Sequence, residues 1–228
     1  MKGPRSPAAR RAIDLFADAP RRDRTHVLVR WWSCPFPAVE AHVPVAGPVL
    51  EIGAGHGLLS LYLGLSSPAR HVIGIDIDER KIAMARAAAA HLRPGEADVR
   101  FELVRPDALP DGPFDAVVIA DVVYLLSDKD RRALLERAAA ALSADGVLVL
   151  KETDHRVKGK SVLTTMQERV ATGLGITAGE HVDFPSVNEL ASVLGDQGLT
   201  VEHVPMHHGY LHPHHLLLGR RSSPESPQ

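Results

Sequence analysis

The stretch "VLEIGAGHGLLSLYLG", residues 49–64, sets Gly53, Gly55 and Gly57 directly behind an apolar run that carries one acid, Glu51. Val49-Leu50-Glu51-Ile52 reads as a short buried strand. Gly57 to Gly64 reads as a helix with Leu58, Leu61 and Tyr62 on one face. Glycine at a strand-to-helix turn lets the backbone take positive φ and come close to a ligand. The helix behind it points unpaired N–H groups the same way. The stretch therefore predicts a ligand cradle.

The chain has 228 residues, 45% of them hydrophobic, and a net charge of −2. That is one ordinary domain with a large core, and it lacks the basic surplus of a nucleic-acid binder. No apolar run reaches the length of a membrane span, and "MKGPRSPAARRAIDLF" lacks the apolar core of a secretory signal. A single cysteine, Cys34, supports no disulfide framework and reads as a small apolar filler. The cytoplasm is the expected compartment. Arg21, Arg22, Arg24 and Arg30 form one basic cluster, read as a solvated N-terminal face.

Residues 1–10 and 221–228 are rich in Pro, Ser and charge and read as frayed tails. "ARRAIDLFADA" reads as a short amphipathic helix, and "THVLVRWWSCPFPAVEAHVP" as a helix or extended cap. Strands are expected at 48–52, 71–76, 98–104, 114–120, 146–151, 200–206 and 214–219. Helices are expected at 79–92, at 128–142 (opened by Ser127 and closed by Gly146), at 160–174, and at 186–195 behind a Ser186/Glu189 capping box. Alternating strands and helices predict a doubly wound, mostly parallel α/β sheet. The last two strands follow each other without a helix and read as a hairpin. The expected division is a tail and helical cap over 1–45, the α/β domain over 46–220, and a tail over 221–228.

Three ligands use such a cradle. A nucleoside triphosphate site needs a leading glycine five residues before Gly159-Lys160-Ser161, and that position is Asp154. A dinucleotide site wants G-x-G-x-x-G, whereas here the third glycine comes one residue early and Glu51 would face a pyrophosphate. A cationic cofactor, S-adenosylmethionine, suits a carboxylate at that point. Glu51 is thus either an acceptor for its ammonium group or a paired structural acid. Asp76, 23 positions after Gly53, ends the second strand, where an acid accepts both ribose hydroxyls. Asp78 reads as a helix cap. Asp107, ahead of Ala108 and Leu109, suits the adenine amino group with apolar residues beside the ring.

With these pieces in register, the chain resembles the class I S-adenosylmethionine-dependent methyltransferases. The match lies in "VLEIGAGHG", "VIGIDID", "PDALP" and "FDAVVIADVVYLL", over roughly residues 47–152. The resemblance implies a seven-stranded Rossmann-like sheet with its last strand antiparallel. It implies S-adenosylmethionine as cofactor, held by Glu51, Gly53, Gly55, Gly57, Asp76, Asp107 and Ala108, with Asp121 near the methionine end. Asp121-Val122-Val123-Tyr124 lacks the prolines that mark methylation of base or glutamine nitrogens, so the chain looks more like a bacterial tailoring enzyme of natural-product type.

A hydroxyl nucleophile must lose its proton, most easily from a phenol. Ligands in this fold sit beyond the carboxyl ends of the strands. "LKETDHRVKGK" follows the fifth strand there and offers His155 as base, oriented by Asp154 or Glu152. Six histidines fall between His203 and His215. Their spacing fits no familiar metal site, so no metal is expected. Tyr210 with His212 or His214 reads as part of a substrate pocket. Trp31, Trp32 and Tyr124 face the same edge, the tryptophans either stacking on substrate or packing on the sheet. The expected reaction is methylation of a small molecule's hydroxyl. Nitrogen or carbon methylation, RNA or protein methylation, and cofactor binding without catalysis are the alternatives. Homodimer formation is compatible with the sequence.

Overall fold

The structure, a computed structural model, describes residues 4–104, 108–153, 185–206 and 214–221. Helices α1 (Pro7–Asp14), α2 (Arg21–Ser33) and α3 (Phe36–Glu40) come first. Then follow β1 (Gly47–Ile52), α4 (Leu58–Ser66), β2 (Arg70–Asp76), α5 (Glu79–Ala89), β3 (Asp98–Leu103) and β4 (Phe114–Ala120). A 3-10 turn (Val123–Leu125), α6 (Asp128–Ala140), β5 (Leu142–Thr153), α7 (Val187–Asp196), β6 (Leu199–Met206) and β7 (His214–Arg221) complete the described chain.

The seven strands form one sheet in the order β3-β2-β1-β4-β5-β7-β6. β7 runs antiparallel to both β5 and β6, and every other pair is parallel. The inner strands β1, β2, β4, β5 and β7 are buried on both faces because helices cover both, whereas the edge strands β3 and β6 are partly exposed. Val49, Val72, Ala116, Val118, Val147 and Val149 pack on the side of α1 to α5. Their alternating neighbours Leu50, Ile73, Val117, Ile119, Leu148 and Leu150 pack against α6 and α7. Strand order reverses between β1 and β4, and the crevice at their carboxyl ends is where this architecture binds ligands.

The expected caps are present. Asp78 accepts from the Lys81 N–H at 3.1 Å and Ser127 from the Asp130 N–H at 3.2 Å. Ser186 and Glu189 form a reciprocal capping box at α7. Several expectations need correction. Residues 1–10 are not all tail: Ser6 caps α1, and Arg11 holds Glu96 with bonds of 2.7 and 2.9 Å. Arg221 belongs to β7 rather than to a tail. Of the two readings of residues 25–44, the helical one holds, with α2 beginning already at Arg21. α4 is buried all round from Leu58 to Gly64, not on one face, because α1 covers the side away from the sheet. α5 stops at Ala89, and Gly146 lies within β5, which starts at Leu142 because that residue pairs with Phe114. The helix expected at 160–174 falls outside the described residues.

Arg70 ties the cap to the domain. It is 1% exposed and donates to the carbonyls of Pro44, Val43 and Leu63 at 2.6, 2.8 and 3.0 Å, and to Glu40 at 2.9 Å. Arg70→Met keeps the volume but takes the side-chain donor from the Pro44 and Val43 carbonyls and the cation from Glu40. It should cost about 3–5 kcal/mol in urea unfolding. A loss below about 1 kcal/mol would mean that those carbonyls find other donors.

Candidate functional site

The turn from β1 into α4 opens the crevice. Gly53 has φ +78°, and a Cβ there would lie 2.4 Å from the Val122 side chain. Gly55 has φ +56° and open space around its missing side chain, with only Lys81 at 3.9 Å. A side chain at Gly53 has no room, and one at Gly55 would stand in the cradle in a disfavoured conformation. A Cβ on Gly57 would run into Phe101 at 2.5 Å. Asp76 organises the loop: its carboxylate accepts the Gly55 N–H at 2.7 Å and the Asp78 N–H at 2.9 Å. The Gly53 and Ala54 N–H groups are held by the Ile75 carbonyl at 2.8 and 2.9 Å.

Glu51 is buried beneath the loop and accepts a short hydrogen bond from the Ser60 hydroxyl of α4. Burial pushes its carboxyl up to about 7, against the opposing pull of Ser60 and Arg30.

α2 spans the crevice and docks at both ends. At one end Asp23 accepts from Arg80 of α5 at 3.0 Å, and its carboxylate lies 3.5 Å from His56 of the glycine loop. The His26 and His56 rings meet at a tilt of 42° with centroids 4.6 Å apart. Burial and the neighbouring positive groups push His26 down to about 4. At the other end Arg30 donates to Asp121 at 2.6 Å and to the Ala120 carbonyl at 3.2 Å. Arg30 is therefore not part of a solvated basic face, unlike the exposed Arg21, Arg22 and Arg24.

Asp121 follows β4 with φ +57°, a left-handed conformation that aspartate tolerates. Besides Arg30, its carboxylate accepts two bonds of 2.7 Å from Lys151 and one of 2.8 Å from Thr153. Burial opposes ionisation, but Lys151 and Arg30 overcome it and hold the Asp121 carboxyl well below the usual range. The Thr153 hydroxyl also accepts from Lys151 at 2.7 Å. It lies 3.1 Å from His214 Nδ1, and the imidazole tautomer sets which of the two donates. Glu152 points to the opposite face of β5. Its Oε1 accepts the Val122 and Val123 N–H groups at 3.2 Å each, and its buried Oε2 has no partner. Burial and the nearby Asp121 charge push Glu152 upward.

The structure thus gathers Glu51, Gly53, Gly55, Gly57, Asp76 and Asp121 at one edge, with Lys151, Thr153, Glu152 and His214 beside them. Ala108 is exposed at the start of its loop. Tyr124 is buried in the 3-10 turn, where burial and Asp121 raise its phenol. Trp31, read as stacking on substrate or packing on the sheet, is 4% exposed and lies edge-on to Phe36 and Tyr62 at 5.6 and 5.1 Å. Trp32, on the other side of the helix, is 42% exposed. Asp107, Asp154, His155, Tyr210 and His212 lie outside the described residues. Among the described residues, no three His, Cys, Asp or Glu side chains form a group able to hold a metal, and no helix is long and apolar enough to cross a membrane. The sequence reading missed Asp23, Arg30 and His56. Asp23, Val27, Arg30 and Trp31 recur at helical spacing, so a charged pair on the inward face of α2 was visible there.

Residues 49–146 match the family model described as a methyltransferase domain. A carboxy-S-adenosyl-L-methionine synthase from Chromohalobacter salexigens is 32% identical over 117 residues, which is 50% of this chain and 42% of that protein. A ubiquinone biosynthesis O-methyltransferase from Xanthomonas axonopodis pv. citri is 26% identical over 191 residues, 77% of each chain. The crystal structure of magnesium protoporphyrin IX methyltransferase from Synechocystis, with bound S-adenosylhomocysteine, gives a TM-score of 0.61 at 18% identity, covering 92% of this chain and 93% of that one. The chain shares its fold with that solved methyltransferase structure, and the chain spans under half the length of the first of these relatives.

Glu51 binds its proton more tightly in the folded chain than in the unfolded one. Between about pH 4.5 and 7 the folded state therefore holds the extra proton, and the stability that Glu51 contributes falls as pH rises through that window. Glu51→Gln keeps an acceptor for Ser60 and removes the titration. Relative to this variant, the parent should gain on the order of 2 kcal/mol from pH 7 to pH 4.5 in urea unfolding. Parallel pH profiles would remove the proton from Glu51.

Proposed function

We propose that this chain is an S-adenosylmethionine-dependent methyltransferase acting on a hydroxyl, phenolic in character, of a small organic metabolite. The observation that carries the cofactor is the cradle itself. Gly55 leaves an open place beside the Asp76 carboxylate, and Asp76 ends β2, the strand next to the β1/β4 reversal of strand order. Asp76 would accept the two ribose hydroxyls. The backbone from Gly53 to Gly57 would pass the amino-acid part, and Asp107 with Ala108 would hold the adenine. When bound, the cofactor supplies an electrophilic methyl group on a sulfonium.

What the protein then does is align and protect. Methyl transfer is an in-line displacement, so positioning and exclusion of water supply most of the acceleration. α2, docked at Asp23 and Arg30, covers the crevice. Trp32, Tyr124, Tyr210, His212 and His214 are assigned to the acceptor side. His155, oriented by Asp154, is assigned to remove the hydroxyl proton. The O-methyltransferase match across 77% of both chains supports a hydroxyl acceptor. Methylation of nitrogen or carbon is the second reading, and would need no such base. Residues 1–45 are read as a cap on the domain at 46–220. A cytoplasmic enzyme, as monomer or homodimer, with no nucleic-acid partner, fits the near-neutral charge.

Titration calorimetry with S-adenosylhomocysteine tests the cofactor assignment. Asp76→Ala should weaken binding by about 10- to 100-fold, the scale of lost charge-assisted hydrogen bonds. Gly55→Val should abolish binding in a folded protein. Unchanged affinity in both would end the reading. With a phenolic acceptor in hand, His155→Ala should lower the rate about 10²- to 10⁴-fold and leave cofactor affinity intact. A loss below about fivefold would move the base elsewhere or favour the nitrogen and carbon reading.

A further inference from the structure

The ion pair between α2 and the end of β4 is built to be exchanged. Asp121 accepts four hydrogen bonds, and three of them come from Lys151 and Thr153. The Lys151 side chain is fully buried, whereas that of Arg30 is 31% exposed. Arg30 is therefore the one donor that can leave Asp121 toward the crevice without orphaning the carboxylate or burying an unpaired charge. The pair lies beside the glycine loop: Val122, next to Asp121, fills the space in front of Gly53.

Resting on the cofactor reading above, we propose that Arg30 and Asp121 hold the place of the zwitterionic amino-acid head of the methyl donor. The ligand's ammonium takes over the guanidinium's position on Asp121. The released Arg30 turns onto the ligand's carboxylate. One ion pair becomes two, and no charge is left unmatched at any stage. A ligand with only an ammonium would strand Arg30, and one with only a carboxylate would find Asp121 still blocked. The head is thus read by both charges together. Glu51 competes poorly for the ammonium because it is covered by Ser60 and holds its proton up to about pH 7, whereas Asp121 is ionised. α2 remains anchored during the exchange through Asp23 to Arg80 and His26 against His56.

The test pairs a truncated ligand with a truncated side chain. S-adenosylhomocysteine carries the whole head, and 5′-deoxy-5′-methylthioadenosine carries the same nucleoside thioether without it. In calorimetry, Arg30→Gln should weaken S-adenosylhomocysteine by about 10- to 100-fold and the head-less nucleoside by less than about threefold, with Arg30→Lys in between. Equal losses for both ligands would make Arg30 a docking residue for α2 only. No loss for either would also overturn the exchange. If Arg30→Gln does not fold, the parent alone decides. It must bind S-adenosylhomocysteine at least about tenfold more tightly than its decarboxylated analogue, and equal affinities refute the proposal. A parent that binds none of the three nucleosides refutes the cofactor reading instead.

Discussion

Asp121 is the charge on which the carboxyl edge of the sheet depends. It brings together Arg30 from α2, Lys151 and Thr153 from β5, and through Thr153 the ring of His214 from β7. Lys151 has no exposure at all, so without Asp121 it would be an uncompensated buried cation. Breaking such a pair from one side costs several kcal/mol, far more than the pair contributes over an apolar replacement. The cluster is therefore poor stabiliser and strong organiser. It fixes the ends of β4, β5 and β7 and the approach of α2, all within reach of the glycine loop.

Three of the acids at this edge sit in different electrostatic conditions. Asp121, against two cations, is held ionised. Glu51, with a serine hydroxyl as its close partner, sits near neutrality. Glu152 accepts two backbone N–H groups on one oxygen and leaves the other without a partner, and burial beside Asp121 drives it upward. Identical chemistry in the side chain thus yields a fixed anion, a titrating group and an acid that retains its proton. Environment alone separates them.

The sheet was legible because its signals are local. Alternating apolar runs, Ser127, Asp78 and the Ser186/Glu189 box each act within a few residues, and each stands where its pattern predicted. Gly53 and Asp76 were legible for a related reason, since one βα turn and the next strand end place them together. The α2 contacts were not. Arg30 meets Asp121 across 91 positions and Asp23 meets Arg80 across 57, and nothing local in "RRDRTHVLVRWW" names a partner. Trp31 illustrates the same limit: its ring type suited a ligand or a core equally, and only packing against Tyr62 of α4 decided between them.

The order β5-β7-β6 also constrains how the chain reaches this state. β7 is the last strand of the described chain and yet lies inside the sheet, with Leu216 and Leu218 in one core and Leu217 in the other. β6, made earlier, pairs among the described residues only with β7. During synthesis, β1 to β5 can pair as they emerge, but the open side of β5 stays bare until residues past 214 leave the ribosome. A nascent chain stalled before His214 would present an unpaired apolar edge, the kind of surface on which aggregation starts.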